Sequence, residues 1–284
     1  MRLAALAALS FAAAALAAPP ARGAEPRRHV LVVCSPGSPG TTAEAQPTMD
    51  AFAAALSAKA RLSPPVAAVY DAAEDAGVAR LRQDDAALAL VSLPFFLKHE
   101  KELGLRARLQ PVPKGRPAAE RWTLVAKKGN TSAPGALDGF TVASIAGFAP
   151  GFVRGPALGG WGPLPAGARV AQSSAVLSSL RRAAAGEKVA VLLDGAQEAA
   201  LASLPFASEL EVVTRSPPLP PGIFATVGGR LAPKAWSAVE AALKALPDDA
   251  AGAAALDTIQ LARFGPVDEA ALAAARKAYA GAVR

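Results

Sequence analysis

The sequence has little of what redox, metal and disulfide chemistry requires. It contains one cysteine, Cys34, and two histidines, His29 and His99. A lone cysteine closes no internal disulfide, and two distant histidines without a second thiol make no zinc ligand set. Neither metal nor cofactor is expected. Cys34 follows the apolar run 30–33 and reads as a buried structural thiol rather than a reactive one. His99 sits among charged residues and reads as solvated surface. Aromatics make up 5% of the chain, and the basic doublets, Arg27-Arg28, Lys127-Lys128 and Arg181-Arg182 among them, are scattered. No basic stripe with interleaved aromatics results, so nucleic acid is not an expected partner. No Ser-His-acid order suggests a catalytic triad.

Hydrophobic residues are 52% of the sequence and the mean hydropathy is +0.28, but alanine supplies much of both. Part of the excess lies at the start. Arg2 precedes an apolar run over residues 3–18, followed by Pro19-Pro20 and Ala21-Arg22-Gly23-Ala24. A basic start, a short apolar run and small residues at two candidate cleavage points, after Ala17 or after Gly23, form a secretory signal. The run falls short of the roughly 20 residues that span a bilayer. Residues 1–24 are therefore expected to be removed from an exported, periplasmic protein. Without Arg2 and Arg22 the chain keeps 28 basic and 23 acidic residues, a mildly positive balance.

The remainder alternates strands and helices. Residues 84–100 are the clearest case: two acids mark a turn, residues 86–91 are an unbroken apolar strand, Ser92 ends it, and Pro94, Phe95 and Phe96 open a helix. Strand, small polar residue and helix start form the edge at which open α/β sheets bind ligands. The same order recurs at 187–195, where Asp194 follows the strand as a helix N-cap or a ligand contact. Further strands are expected at 30–33, 66–70, 105–112, 122–128, 140–145, 168–172, 210–214 and 223–227. Helices are expected at 47–60, 74–83, 174–185, 195–204, 233–246, 250–261 and 268–283. The loop 35–42, rich in Ser, Gly and Thr, is either an anion cradle before a helix or an ordinary Pro/Gly turn.

Five stretches in this order resemble one family. They are Asp85-Ala86-Ala87-Leu88 leading to Leu93-Pro94-Phe95-Phe96, then residues 137–143, Gly151-Phe152, residues 174–177 before 185–190, and residues 216–220. Together they are similar to the periplasmic substrate-binding proteins of phosphate, phosphite and phosphonate ABC transporters. The resemblance implies an α/β, two-lobed type 2 periplasmic binding protein fold, each lobe a mixed sheet flanked by helices, with two interlobe crossings. It divides the chain into lobe 1 at 25–128 plus 213–284 and lobe 2 at 129–212. It implies a ligand-binding cleft that includes Ser35, Ser92, Phe95, Phe96, Gly147, Phe148, Ala149, Ser174 and Asp194. Phe95 or Phe96 stands where the family often has tyrosine, and Ser174 where a histidine often follows a strand. The loop 146–151 has no hydroxyl where the family's anion loop is rich in Ser and Thr. Phe96, Phe148 and Phe152 read either as contacts to a more apolar ligand or as packing, and Arg154 as an anion partner or as surface.

The function this implies is capture of a small ligand, an oxyanion or phosphonate-like compound, by a monomer that delivers it to an ABC permease. The alternative is a sensor or interaction protein on the same fold. An enzyme is the least supported reading.

Overall fold

The computed structural model describes residues 28–38 and 40–283, so the expected signal segment 1–24 lies outside the described residues. The first sheet is built around a strand that is apolar on both faces. β1 (Val30–Cys34) lies parallel to β2 (Ala67–Asp71) and to β3 (Ala86–Ser92). β1 is buried along its whole length, as a strand covered on both faces must be. Helices α1 (Thr42–Ala60) and α2 (Glu74–Leu81) make the two parallel crossovers. α3 (Leu93–His99) follows β3 directly, and β4 (Leu105–Pro113) returns along the sheet.

The chain then leaves for a second sheet. β5 (Thr123–Lys127), expected in the first lobe, pairs antiparallel with β8 (Val189–Leu193) and β9 (Leu210–Arg215) instead. The first crossing therefore precedes residue 123. The stretch between the end of β4 at Pro113 and the start of β5 at Thr123, with a further proline at Pro117, carries it. β6 (Thr141–Ser144) lies parallel to β8 and to β7 (Arg169–Gln172). After β6 come a 3-10 turn over Ile145–Phe148, the short α4 (Pro150–Phe152) and a π-turn over Val153–Ala157. α5 (Val176–Ala184) precedes β8, and α6 (Gly195–Leu201) leads to β9.

Residues 216–221 carry the chain back to β10 (Gly222–Val227), which inserts antiparallel between β3 and β4. The two crossing segments pair with each other: Glu120 N donates to Leu219 O and Leu219 N to Glu120 O, each at 2.8 Å. Trp122 N also donates to Ser216 Oγ at 2.9 Å. A two-stranded strap therefore joins the lobes.

α7 (Pro233–Ala245) and α8 (Ala250–Thr258) cover one face of the first sheet, where Phe52, Leu56, Phe224, Trp236 and Val239 pack. The helix expected at 250–261 stops early. Gln260 adopts a left-handed φ of 57°, and β11 (Leu261–Pro266) follows as an edge strand on β4. Ala262 and Arg263 are exposed there, because part of an edge strand faces solvent. α1 starts at Thr42, ahead of the expected 47, because Thr41 and Glu44 form a reciprocal cap. α9 (Glu269–Ala282) then leaves the first sheet and packs on the second lobe, where Gly151 faces Tyr279 and Gly155 faces the Ala278 carbonyl. Arg276 of α9 also pairs with Glu100 at 2.8 Å, tying the helix back to the end of α3.

Candidate functional site

Between the sheets lies a cavity of about 210 Å³. The carboxyl ends of β1 and β3 present Ser35 and Ser92 to it, and Ser38 follows Ser35 in the same loop. The second lobe contributes Phe148 from the turn after β6 and Asp194 from the end of β8. The strap contributes Arg116, Glu120 and Trp122. Four expected site residues are thus brought together: Ser35, Ser92, Phe148 and Asp194. Arg116, Glu120 and Trp122 went unrecognised. Their only signal was position, in a Pro-rich stretch with a lone acid and an indole.

Other expected contacts lie elsewhere. Phe95 and Phe96 are fully buried. α3 turns them into a core that continues into the second lobe through Trp122, Phe152 and Leu192. Ala149 is likewise buried, with no polar side-chain atom to offer. Gly147 is pressed against β7, where a Cβ would meet the Ala171 carbonyl and Gln172 nitrogen at 2.3 Å. Ser174 is exposed and borders an adjoining polar opening that shares Ser38 with the cavity. Arg154 donates to Ala168 O at 2.8 Å and borders a different hollow beside α9. His99 is buried rather than solvated: Nε2 meets Glu74 Oε1 at 2.6 Å and the ring lies 4.8 Å from Phe95. Cys34 is buried as expected. Burial, then Asp71 and Glu74, push its thiol well up, so a thiolate is suppressed.

Two polar atoms at the cavity are buried without a hydrogen-bond partner, Ser92 Oγ and Trp122 Nε1. Each such orphan costs about 1–3 kcal/mol in a folded chain. Facing the cavity, both can complete their bonding on water or on a ligand. Trp122 is wedged edge-on against Phe152, centroids 5.0 Å apart, so the indole is held in place.

The two carboxylates have distinct settings. Asp194 caps α6, its Oδ1 accepting from Gln197 N at 2.8 Å, and Gln197 returns a bond to Asp194 N at 3.1 Å. Glu120 Oε2 accepts from Gly195 N at 3.3 Å, one residue along. Burial first, then the Asp194 charge, push Glu120 up to about 8; the Gly195 amide, Arg116 and the Trp122 indole oppose this. The indole acts there through proximity, without hydrogen-bond geometry. Asp194 is also raised, chiefly by burial.

One side chain joins the rims. Lys98 of α3 pairs with Glu74 at 2.6 Å and donates to the Phe148 carbonyl at 2.7 Å, 5.7 Å from the Phe148 ring centroid. Lys98→Met keeps the aliphatic stem and removes this interlobe bond. A charged hydrogen bond at a partly exposed site is worth about 1 kcal/mol after screening. The variant should show a larger radius of gyration without ligand and about fivefold weaker ligand binding. Unchanged scattering and affinity would count against a latch.

Among the described residues no His, Cys, Asp and Glu cluster could hold a metal, and no helix is long and apolar enough to cross a membrane.

No protein-family model and no curated protein matches the chain. Solved structures do. A Xanthomonas citri protein bound to ATP superposes with a TM-score of 0.71 at 14% identity, covering 91% of this chain and 98% of its own. A binding protein component of an ABC phosphonate transporter from Pseudomonas aeruginosa gives 0.62 at 13%, covering 91% and 87%. A Prochlorococcus marinus protein, PhnD1, in complex with methylphosphonate gives 0.60 at 15%, covering 87% and 97%. At these identities the likeness is one of fold, and the fold is the two-lobed one of periplasmic binding proteins.

Proposed function

We propose that this chain is an exported solute-binding protein that captures one small ligand between its lobes and delivers it to an ABC permease. The observation that carries this reading is the cavity at the strap, lined from both lobes and bordered by the orphan Ser92 hydroxyl and Trp122 indole. Structural neighbours that bind ATP and methylphosphonate support the general role. Export rests on the signal-like residues 1–24. Lobe 1 comprises about residues 28–119 with 220–266, and lobe 2 the intervening stretch, with α9 bridging them. Binding is favoured over catalysis because both ring nitrogens of His99 are engaged by Glu74 and Glu102, and Cys34 is buried.

The test is a ligand panel of anions, amines, zwitterions, nucleotides and sugars, read by thermal shift. At 100 times Kd a ligand stabilises by about 2.7 kcal/mol, or roughly 5–10 °C for a chain of this size. Trp122 fluorescence, followed in a W161F/W236F background, should change saturably with the same ligand. A panel with no stabilising member and no fluorescence response would oppose the reading.

A further inference from the structure

We propose that the cleft selects a small primary ammonium compound, whose charged nitrogen is held between the Glu120 and Asp194 carboxylates. The inference rests on the solute-binding reading and names its ligand class. Glu120 and Asp194 approach the same point of the α6 N-terminus, Glu120 through the Gly195 amide and Asp194 as the cap itself. Among the described residues neither has a basic side chain within ion-pair distance. Arg116, half-buried at the same rim, acts on both from farther away. With both carboxyls ionised the charged lining is one guanidinium against two carboxylates, which an ammonium neutralises. The orphan Ser92 hydroxyl can accept from an ammonium or donate to an oxygen on the same ligand.

Two of the helix N-termini at which an oxyanion could sit are already taken. The N-terminus of α1, next along the chain from Ser35 and Ser38, is closed by Glu44, which accepts from Thr41 N at 2.8 Å and Thr41 Oγ1 at 2.9 Å. The N-terminus of α6 is closed by Asp194. The turn after β6 has no hydroxyl between Ala146 and Gly151. A phosphonate dianion entering here would meet two carboxyl groups against one guanidinium.

The sign of the pH response separates the two ligand classes. The charged groups around Glu120 are Arg116 and Arg121 on its own segment, the latter donating to Ser216 O at 2.7 Å, and Asp194 at the α6 cap. Behind the cap is Glu198, paired with Arg215 at 2.7 Å. With Glu120 pushed up to about 8, the empty site holds a proton near neutrality. An ammonium binds the ionised pair and expels that proton to the buffer, so its affinity rises with pH. An anion binds the protonated pair, so its affinity falls.

The experiment uses ethanolamine and β-alanine as amine probes, with methylphosphonate and inorganic phosphate as anion probes, on the full mature chain by titration calorimetry. Affinity for an amine should rise roughly twentyfold between pH 6.5 and 8.5, with close to one proton released per ligand at pH 7. E120Q should make the affinity flat with pH and at least tenfold weaker. D194N, which keeps a good helix cap, should weaken amine binding while leaving the fold intact. Amine probes that fail to bind, or bind with the opposite pH slope, overturn the inference. If methylphosphonate or phosphate binds and compacts the protein, the solute-binding reading survives that failure. If no member of the wider panel binds, both fall.

Discussion

Phe152→Ala is expected to lower stability by about 3–5 kcal/mol, the range for emptying a large aromatic site from a core. Phe152 is fully buried and lies in the core that runs through both lobes. Its ring packs edge-on against Trp122 at 5.0 Å, a geometry that adds to the area term. Trp122 in turn borders the cavity and sits on the strap, where its indole N–H donates to no protein partner. The substitution should therefore act twice, on the denaturation midpoint in urea and on the ligand response of the indole. Binding should weaken as well, because the indole loses the neighbour that holds its orientation. A loss below about 1 kcal/mol would mean that the interlobe core is not continuous through Phe152.

Gly147→Ala is the second large effect, and it comes from a single methyl group. A Cβ at this position would lie 2.3 Å from the carbonyl carbon and oxygen of Ala171 and from the Gln172 nitrogen. These are backbone atoms of β7, so no side chain can swing aside. Overpacking of this kind typically costs about 1–3 kcal/mol, and contact with backbone places it at the upper end. The turn that must move carries Phe148, whose carbonyl accepts from Lys98 and whose ring walls the cavity. Stability and the interlobe bond should decline together. Gly160→Ala is the matched control, since nothing lies within 4 Å of its added carbon, and it should change stability by less than about 0.5 kcal/mol. Equal effects from the two variants would contradict the packing argument.

The parts of the fold legible in the sequence were those written as continuous burial. β1, β3, β8 and β10 are apolar runs bounded by turn formers, and each is buried on both faces. β11 was illegible because an edge strand buries only part of itself: Ala262 and Arg263 are exposed, and the preceding helix hides its start. β5 was visible as a strand, but nothing local says which of two sheets it joins. That choice is made by pairing with β8 and β9, which lie about 65 and 85 residues further along.

The site divides in the same way. Ser35, Ser92 and Asp194 were legible because they close strands, and strand ends line the cavity. Phe95 and Phe96 misled because a residue after a strand end can face either cleft or core, and α3 turns both inward. Glu120 and Trp122 were hidden in the linker between sheets. Their role exists only once the strap from residues 216–221 pairs beside them. His99 shows the converse error: its charged sequence neighbours include Lys98 and Glu100, yet its contacts are Glu74 and the Phe95 ring.

The proposed two-lobed clamp would close on its ligand at the strap by hinge motion at the two crossings. Small-angle scattering of the mature chain with and without a ligand found by thermal shift tests it most directly. A smaller radius of gyration is expected with saturating ligand, in parallel with the Trp122 response. Lys98→Met is expected to start from a more open state and to close on the same ligand. A ligand that binds tightly while leaving the radius of gyration unchanged in both proteins would contradict it.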